Sequence, residues 1–402
     1  MDCAKLKADI ERLREAHNAF NAAVTATYDT GLEKMKCNEA MEQTSELEDE
    51  ILRTYMEDMR KHNPELFPRF HYGEKIDGFD GYIYSTLKLS DDEVLVCGNE
   101  GETRILRKDK DGSWNYDGDK IDGFHGYILS TMRLSDSEVL VCGNKGETRI
   151  LHKSEDGLWN YGSNSIDGYD GEINSTLKLS DSEVLVCGAC GFRRSETRIL
   201  RKSKDGLWGY IDDKIDGFHL DVFSTVKLSD NEVLVGGVRI LRKGEDGSWN
   251  YDSDSIDGLD DYYANSNLKL SDDEVLTCGD DGVTRILCKG EDGSWNYDGN
   301  DIYGYRANIN STLRLSDDEV LICGDDGETR ILRKGEDDSW YYDSDRIDGF
   351  GNAVYSTLKL SDNEVLVCGG DGETRILRID MDIDLDKLKQ KLPEIAAKKD
   401  EA

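Results

Sequence analysis

The residue type in this chain best able to do chemistry recurs at a fixed address. Cys97, Cys142, Cys187, Cys278, Cys323 and Cys368 each follow a Glu-Val-Leu run, as in EVLVCG, EVLTCG and EVLICG. A thiol can bridge, hold a metal or attack an electrophile. Equivalent positions in separate copies of a repeat lie too far apart to bridge, and a free Cys among aliphatic neighbours packs as a small apolar residue. These thiols therefore read as core. Cys187-Gly188-Ala189-Cys190 spells CxxC, but its first Cys is the ordinary repeat cysteine. Tetrahedral zinc needs two more ligands, and the sequence has no second CxxC and no HxxxH. The clusters DKDG, DGDKIDG and DSDSIDG are dense in carboxylates. No copy has the acid spacing, central Gly and closing Glu of an EF-hand loop, so Asp-Gly reads as turn chemistry. The histidines (His17, His62, His71, His125, His152 and His219) form no local ligand or triad pattern. Arg104, Arg149, Arg198, Arg239, Arg285, Arg330 and Arg375 recur at one repeat position, which suits seven equivalent structural or surface roles better than one anion clamp. The expectation is no catalytic residue, no metal and no cofactor.

The elements that carry these residues form a repeat. LSDDEVLVCGNEGETRILRKDKDGSWNYDGDKIDGF recurs with small changes, and its marker serine falls at Ser90, Ser135, Ser180, Ser229, Ser271, Ser316 and Ser361. Most steps are 45 residues. The third is 49, from the insert ACGFRRSE, and the fourth is 42, from the compressed turn VGGVRIL. Each unit reads as four short strands: YIYSTLKL, the doubly apolar EVLVCG, ETRILRK, and a fourth opening at Trp in SWNY. The hairpin KDKDG joins the last two. Four strands per roughly 45 residues is the period of a propeller blade, and seven copies imply seven blades. Trp114, Trp159, Trp208, Trp249, Trp295 and Trp340 open six fourth strands. The seventh copy stops at ETRILRID without one. Phe70-His71-Tyr72, in PRFHYGEKIDGF, supplies the missing strand from the front of the chain. The sequence thus predicts an all-β seven-bladed propeller over 67–379, closed by an N-terminal strand.

The stretch STLKLSDNEVLVCGGDGETRIL, Ser356 to Leu377, resembles the WD-repeat propeller family, as does Leu315 to Leu332. The likeness covers roughly residues 67 to 379. That family's Trp-Asp ending is replaced by Leu-Arg, as at Leu332-Arg333, and no regular Gly-His pair opens each blade. Its hydrogen-bonded tetrad is therefore not expected here, and packing is expected to hold the core. The KDKDGSW hairpin also resembles a shortened Asp-box, the turn of sialidase-type propellers.

Residues 1–62 read as helix. Leu6, Ile10, Leu13, His17, Phe20 and Val24 follow a 4,3 spacing, and Leu47, Ile51, Leu52, Tyr55, Met56 and Met59 form a second stripe. The expectation is a helical extension: a hairpin, helices lying on the propeller, or a coiled coil that makes a homodimer. Pro64 and Pro68 stop it. Residues 380–402 read as a tail with a short helix. The chain carries 85 Asp and Glu against 50 Lys and Arg, a net charge of −35. Such a balance disfavours nucleic acid and anionic membranes and suits a basic partner. No run of 18 apolar residues and no secretory signal are visible. With ten cysteines not spaced as a disulfide scaffold, a reducing, cytoplasmic setting is expected.

Differences among the copies concentrate just after the IDG turn. One position reads Asp80, His125, Asp170, His219, Asp260 and Arg306, with Gly351 in the seventh copy. Two residues on stand Tyr82, Tyr127, Glu172, Asp221, Tyr263 and Asn308, with Ala353 in the seventh. Two further on stand Tyr84, Leu129, Asn174, Phe223, Asn265, Asn310 and Tyr355; Asn352 joins the set for the seventh copy. The positions between stay mostly apolar, so strand alternation separates a variable side from an aliphatic one. The family resemblance implies that this loop lies on one face near the central channel. Aromatic and adaptable polar residues there suit protein recognition. The expected function is a non-enzymatic protein-interaction scaffold. A glycan- or small-ligand-binding propeller with blade-repeated sites is the alternative. A sialidase-like hydrolase ranks last, because near-identical blades offer the same groups seven times where catalysis needs different groups to converge.

Overall fold

The computed structural model describes residues 69–380 except 119, 192, 193, 212, 213, 254, 260 and 261. The helical extension expected over 1–62 and the tail helix lie outside the described residues. Two units can be separated, 71–378 and the terminal segments 1–70 with 379–402. The described residues of the first unit contain strands, turns and three short 3-10 turns but no α-helix.

Seven sheets of four antiparallel strands build the propeller. In the first, Ile83–Lys88, Glu93–Gly98, Thr103–Lys108 and Trp114–Asp117 lie side by side in chain order. Five more sheets repeat that order, and Trp opens every fourth strand where the sequence placed it. In the seventh sheet Val354–Lys359, Glu364–Gly369 and Thr374–Ile379 are followed by Phe70–Tyr72. Gly73 N–H donates to the carbonyl of Ile376 (2.8 Å), and Ile76 N–H to that of Thr374 (2.8 Å). The first strands of successive sheets touch in order round the molecule, and that of the seventh touches that of the first. They therefore line the centre of a ring of seven blades.

The second strand explains the ring. Glu93–Gly98 is buried from Val94 onward. Val94 and Val96 pack with Leu360, Leu366, Cys368 and Ile376 of the preceding blade. Leu95 and Cys97 face the other way, onto Ile128, Val139, Val141 and Trp159 of the next. Period-two alternation thus gives each blade two apolar faces, and each face is covered by a neighbour. The repeat cysteines sit in these seams. All six are fully buried, and burial pushes each thiol up to about 12. They are free thiols in the core, as their aliphatic setting in the sequence implies.

Packing is joined by a polar framework that the sequence does not announce. On the inner strands, serine and threonine hydroxyls pair across every seam but one: Ser85 with Thr131, Ser130 with Thr176, Ser175 with Thr225, Ser266 with Thr312, Ser311 with Thr357, and Ser356 with Thr86, at 2.7–2.8 Å. In the remaining seam Asn267 N–H donates to Ser224 Oγ (3.0 Å). A second circle has a Lys or Arg of each blade donating to a leucine carbonyl of the blade before, as Lys88 does to Leu360 and Arg133 to Leu89. Further out, a fourth-strand tyrosine reaches back to a third-strand threonine in six seams. Tyr116 meets Thr374, Tyr161 meets Thr103, Tyr210 meets Thr148, Tyr251 meets Thr197, Tyr342 meets Thr284, and Tyr72 meets Thr329, at 2.6–2.9 Å. Tyr297 is the exception: blade four has Val238 where the others have Thr, and Tyr297 bonds Asp301 instead. Lysines such as Lys108 add a bond to a glutamate one blade back (Glu364, 2.9 Å) while lying 5.6 Å from the centre of the Trp114 ring.

The outer latch can be tested within its own pair. Thr103 also donates to the Gly101 carbonyl, so Tyr161 supplies the proton in their shared bond. Tyr161→Phe is expected to destabilise the protein by about 0.5–1.5 kcal/mol. In a Thr103→Val background the same substitution should move the urea midpoint markedly less; equal shifts in the two backgrounds would refute the latch. The buried thiols make a second prediction. Iodoacetamide at pH 8 should label exposed Cys288 well before any of the six core cysteines, as read by peptide mass spectrometry of the native protein.

Candidate interaction face

All seven blades run in the same sense, so the starts of the inner strands surround the centre on one face, where the variable residues lie. The ladder shows how they are presented. Ile83 pairs with Gly98, but Ser85 pairs with Cys97, which leaves Tyr84 as an extra residue in a β-bulge. The same irregularity singles out Leu129, Asn174, Asn265, Asn310 and Tyr355. The third variable position is thus the bulged residue in six blades. In blade four the inner strand begins only at Thr225, and Phe223 stands outside the ladder. The glycine after each repeat cysteine permits the approach: a Cβ on Gly98 would fall 1.9 Å from the Tyr82 carbonyl oxygen.

The Glu-Thr-Arg triplet fixes this rim from below. Glu102 accepts from the backbone N–H of Asp80 (3.3 Å) and from Arg104 Nε (2.7 Å). Glu147 does the same for His125 (3.1 Å) and Arg149 (2.9 Å). Glu373 holds Gly351 N–H (3.1 Å), Asn352 Nδ2 (2.9 Å) and Arg375 Nε (2.8 Å). The recurring arginines are therefore braces within single blades. His125 also meets Glu147 at 3.1 Å through Nδ1.

Asp80, His125, Asp170, His219 and Arg306 are exposed, as are Tyr82, Tyr127, Glu172 and Phe223. Tyr84, Leu129, Asn174, Asp221, Tyr263, Asn265, Asn308, Asn310, Asn352 and Tyr355 are half-buried. Asp260 lies outside the described residues. The rim is not uniform. Across blades seven, one and two, four tyrosines touch: Tyr84 to Tyr355 (5.4 Å between ring centres), Tyr82 to Tyr355 (6.0 Å), Tyr82 to Tyr84 (6.1 Å) and Tyr84 to Tyr127 (6.4 Å). Burial, then neighbouring rings, push the Tyr84 hydroxyl up. Burial and then the Asp325 carboxylate do so for Tyr355. On blade six Asn308 and Asn310 both donate to Asp325, at 2.8 and 2.6 Å. On blade four burial raises the Asp221 carboxyl, and its Oδ1 has no hydrogen-bond partner among the described residues.

One further rim position emerges only from the structure. The residue after Cys-Gly is Asn99, Asn144, Ala189, Asp280, Asp325 or Gly370, and at Asn99, Asn144, Asp325 and Gly370 its backbone N–H bonds the carbonyl of the second variable residue, as Asn99 does with Tyr82 (3.0 Å) and Asp325 with Asn308 (3.0 Å). A signal for it is present in the sequence: it varies among copies between a constant Gly and a near-constant turn.

Neither a protein-family model nor a curated protein matches the chain. Among solved structures it is similar to the crystal structure of the WD40 beta propeller domain of Doa1, at 16% sequence identity and a TM-score of 0.58, over 77% of this chain and 96% of that one. At that identity the likeness carries the fold, and in fold this chain is a seven-bladed propeller of the WD40 kind.

Proposed function

We propose that this protein is a non-enzymatic interaction scaffold that binds a protein partner through the rim at which its inner strands begin. The observation that carries the reading is the contrast within the chain. The residues that join blades are nearly constant, whereas the side chains displayed on one face differ from blade to blade and include a contiguous aromatic group. Blade-repeated glycan sites would need that face to repeat, and catalysis would need unlike groups converging on one atom. The acidic chain favours a partner segment with basic character. Six free core thiols suit a reducing compartment such as the cytoplasm. We further assign residues 70–73 the role of a clasp that ties the first-blade side of the ring to the last, supported by the strand order of the seventh sheet and the backbone bonds of Gly73 to Ile376 and Ile76 to Thr374.

Affinity capture from native lysate should recover a partner with the intact chain. It should fail with a variant carrying Ala at Tyr82, Tyr127, Asp221 and Asn308, provided the variant melts like the parent. Undiminished capture would remove this face as the binding surface. For the clasp, deleting residues 63–73 should lower the apparent melting temperature by about 5–10 °C; a truncated chain that melts like the full one would refute it.

A further inference from the structure

The tryptophan rings of this molecule carry its own cations. Lys108, Lys153, Lys202, Lys243, Lys289 and Lys334 each lie 5.6–6.0 Å from the centre of a tryptophan ring, and Arg285 lies 4.4 Å from that of Tyr262. The rim tyrosines have no such companion among the described residues. Tyr82 and Tyr127 are 40% and 45% exposed, so part of each ring is open to solvent. Gly370 leaves room for the group: the Tyr82 ring lies over it, 3.5 Å from where a Cβ would stand. Beside Tyr355 sits Asp325, held by two asparagine amides and paired with no Lys or Arg among the described residues. Most acids lower on the blades, such as Glu93, Glu102 and Glu364, do have such a partner.

We propose that Tyr82, Tyr84, Tyr127 and Tyr355, with Asp325 beside them, form a seat for the cationic end of a lysine or arginine side chain on a partner protein. The ring faces offer negative electrostatic potential. Several rings share the contact, and the unpaired carboxylate adds charge complementarity at the edge. An apolar side chain would gain the rings but leave the carboxylate unanswered. This inference rests on the proposed interaction face and narrows it to four adjacent blades, six, seven, one and two, and one ligand chemistry.

The test uses the full chain labelled with 3-fluorotyrosine, its resonances assigned by single Tyr→Phe variants. The probe is the peptide Ac-Gly-Ser-Lys-Ser-Gly-amide, compared with the same peptide carrying norleucine for lysine. The lysine peptide should shift the resonances of the four rim tyrosines at millimolar concentration, and the norleucine peptide should not. Tyr355→Phe should keep the binding, because a phenyl face remains. Tyr355→Leu and Asp325→Asn should each weaken it about threefold to tenfold. Equal responses to the two peptides, no response of these four resonances, or full binding by Tyr355→Leu would each overturn the seat. The peptide comparison uses the unaltered protein, so it does not depend on any variant folding. If the seat fails while the rim variant still loses its captured partner, the interaction face stands without it. If the seat binds lysine while capture is unaffected, the face as proposed falls and the seat remains.

Discussion

A sheet with two apolar faces cannot be left alone in water, and every blade here is such a sheet. Val94 and Val96 point to one neighbour, Leu95 and Cys97 to the other, and neither face has a helix to cover it among the described residues. The only partner on offer within the repeat unit is another copy of the same sheet. A row of copies always ends in two bare faces; a ring has none. The circular arrangement is thus required by the alternation in one six-residue strand, and the remaining contacts adjust how the copies meet.

Hydrophobic contact alone would let neighbouring sheets slide. The hydroxyl pairs and the basic side chains on leucine carbonyls sit at two heights along the inner strands, and the tyrosine–threonine bonds lie further out, which fixes the rotation of each blade about the next. The triplet Glu-Thr-Arg joins this frame to the rim. Its threonine takes part in the outer bond, while its glutamate, braced by its arginine, holds the backbone from which the variable side chains project. A rim mounted in this way can change its side chains without disturbing the seams beneath, so a recognition surface can diversify while the frame stays constant.

The period, the four strands per copy, the Trp that opens each fourth strand and the buried character of EVLVCG were legible in the sequence, because each is a local pattern repeated many times. The odd strand Phe70–Tyr72 stood out because it breaks the pattern in a recognisable way. Three features were hidden because they depend on how strands or copies align. The bulge at Tyr84 depends on register between two strands. The partner of Tyr161 lies 58 residues earlier in another copy. The four-tyrosine group joins residues from the first, second and last copies. When copies are nearly identical, a sequence does not say which copy meets which, and contacts between unlike copies appear only when the ring is assembled. The polar framework between blades was hidden for a related reason: serine, threonine and tyrosine look like ordinary strand residues until a neighbouring blade brings their partners within hydrogen-bonding reach.

Blade four departs from its siblings at one short turn. With Gly237 and Val238 in place of Glu and Thr, it has no rim brace of the usual kind and offers Tyr297 no hydroxyl, while Asn267 substitutes a backbone contact for the inner hydroxyl pair. The molecule is therefore not a wheel of interchangeable sectors. Its seam between the fourth and fifth sectors lacks the outer tyrosine–threonine bond of the other six and relies on Asn267, Lys269 and a large shared apolar cluster instead. The tyrosine group lies on sectors seven, one and two, away from that seam, so its presentation does not depend on the one junction that lacks the outer bond.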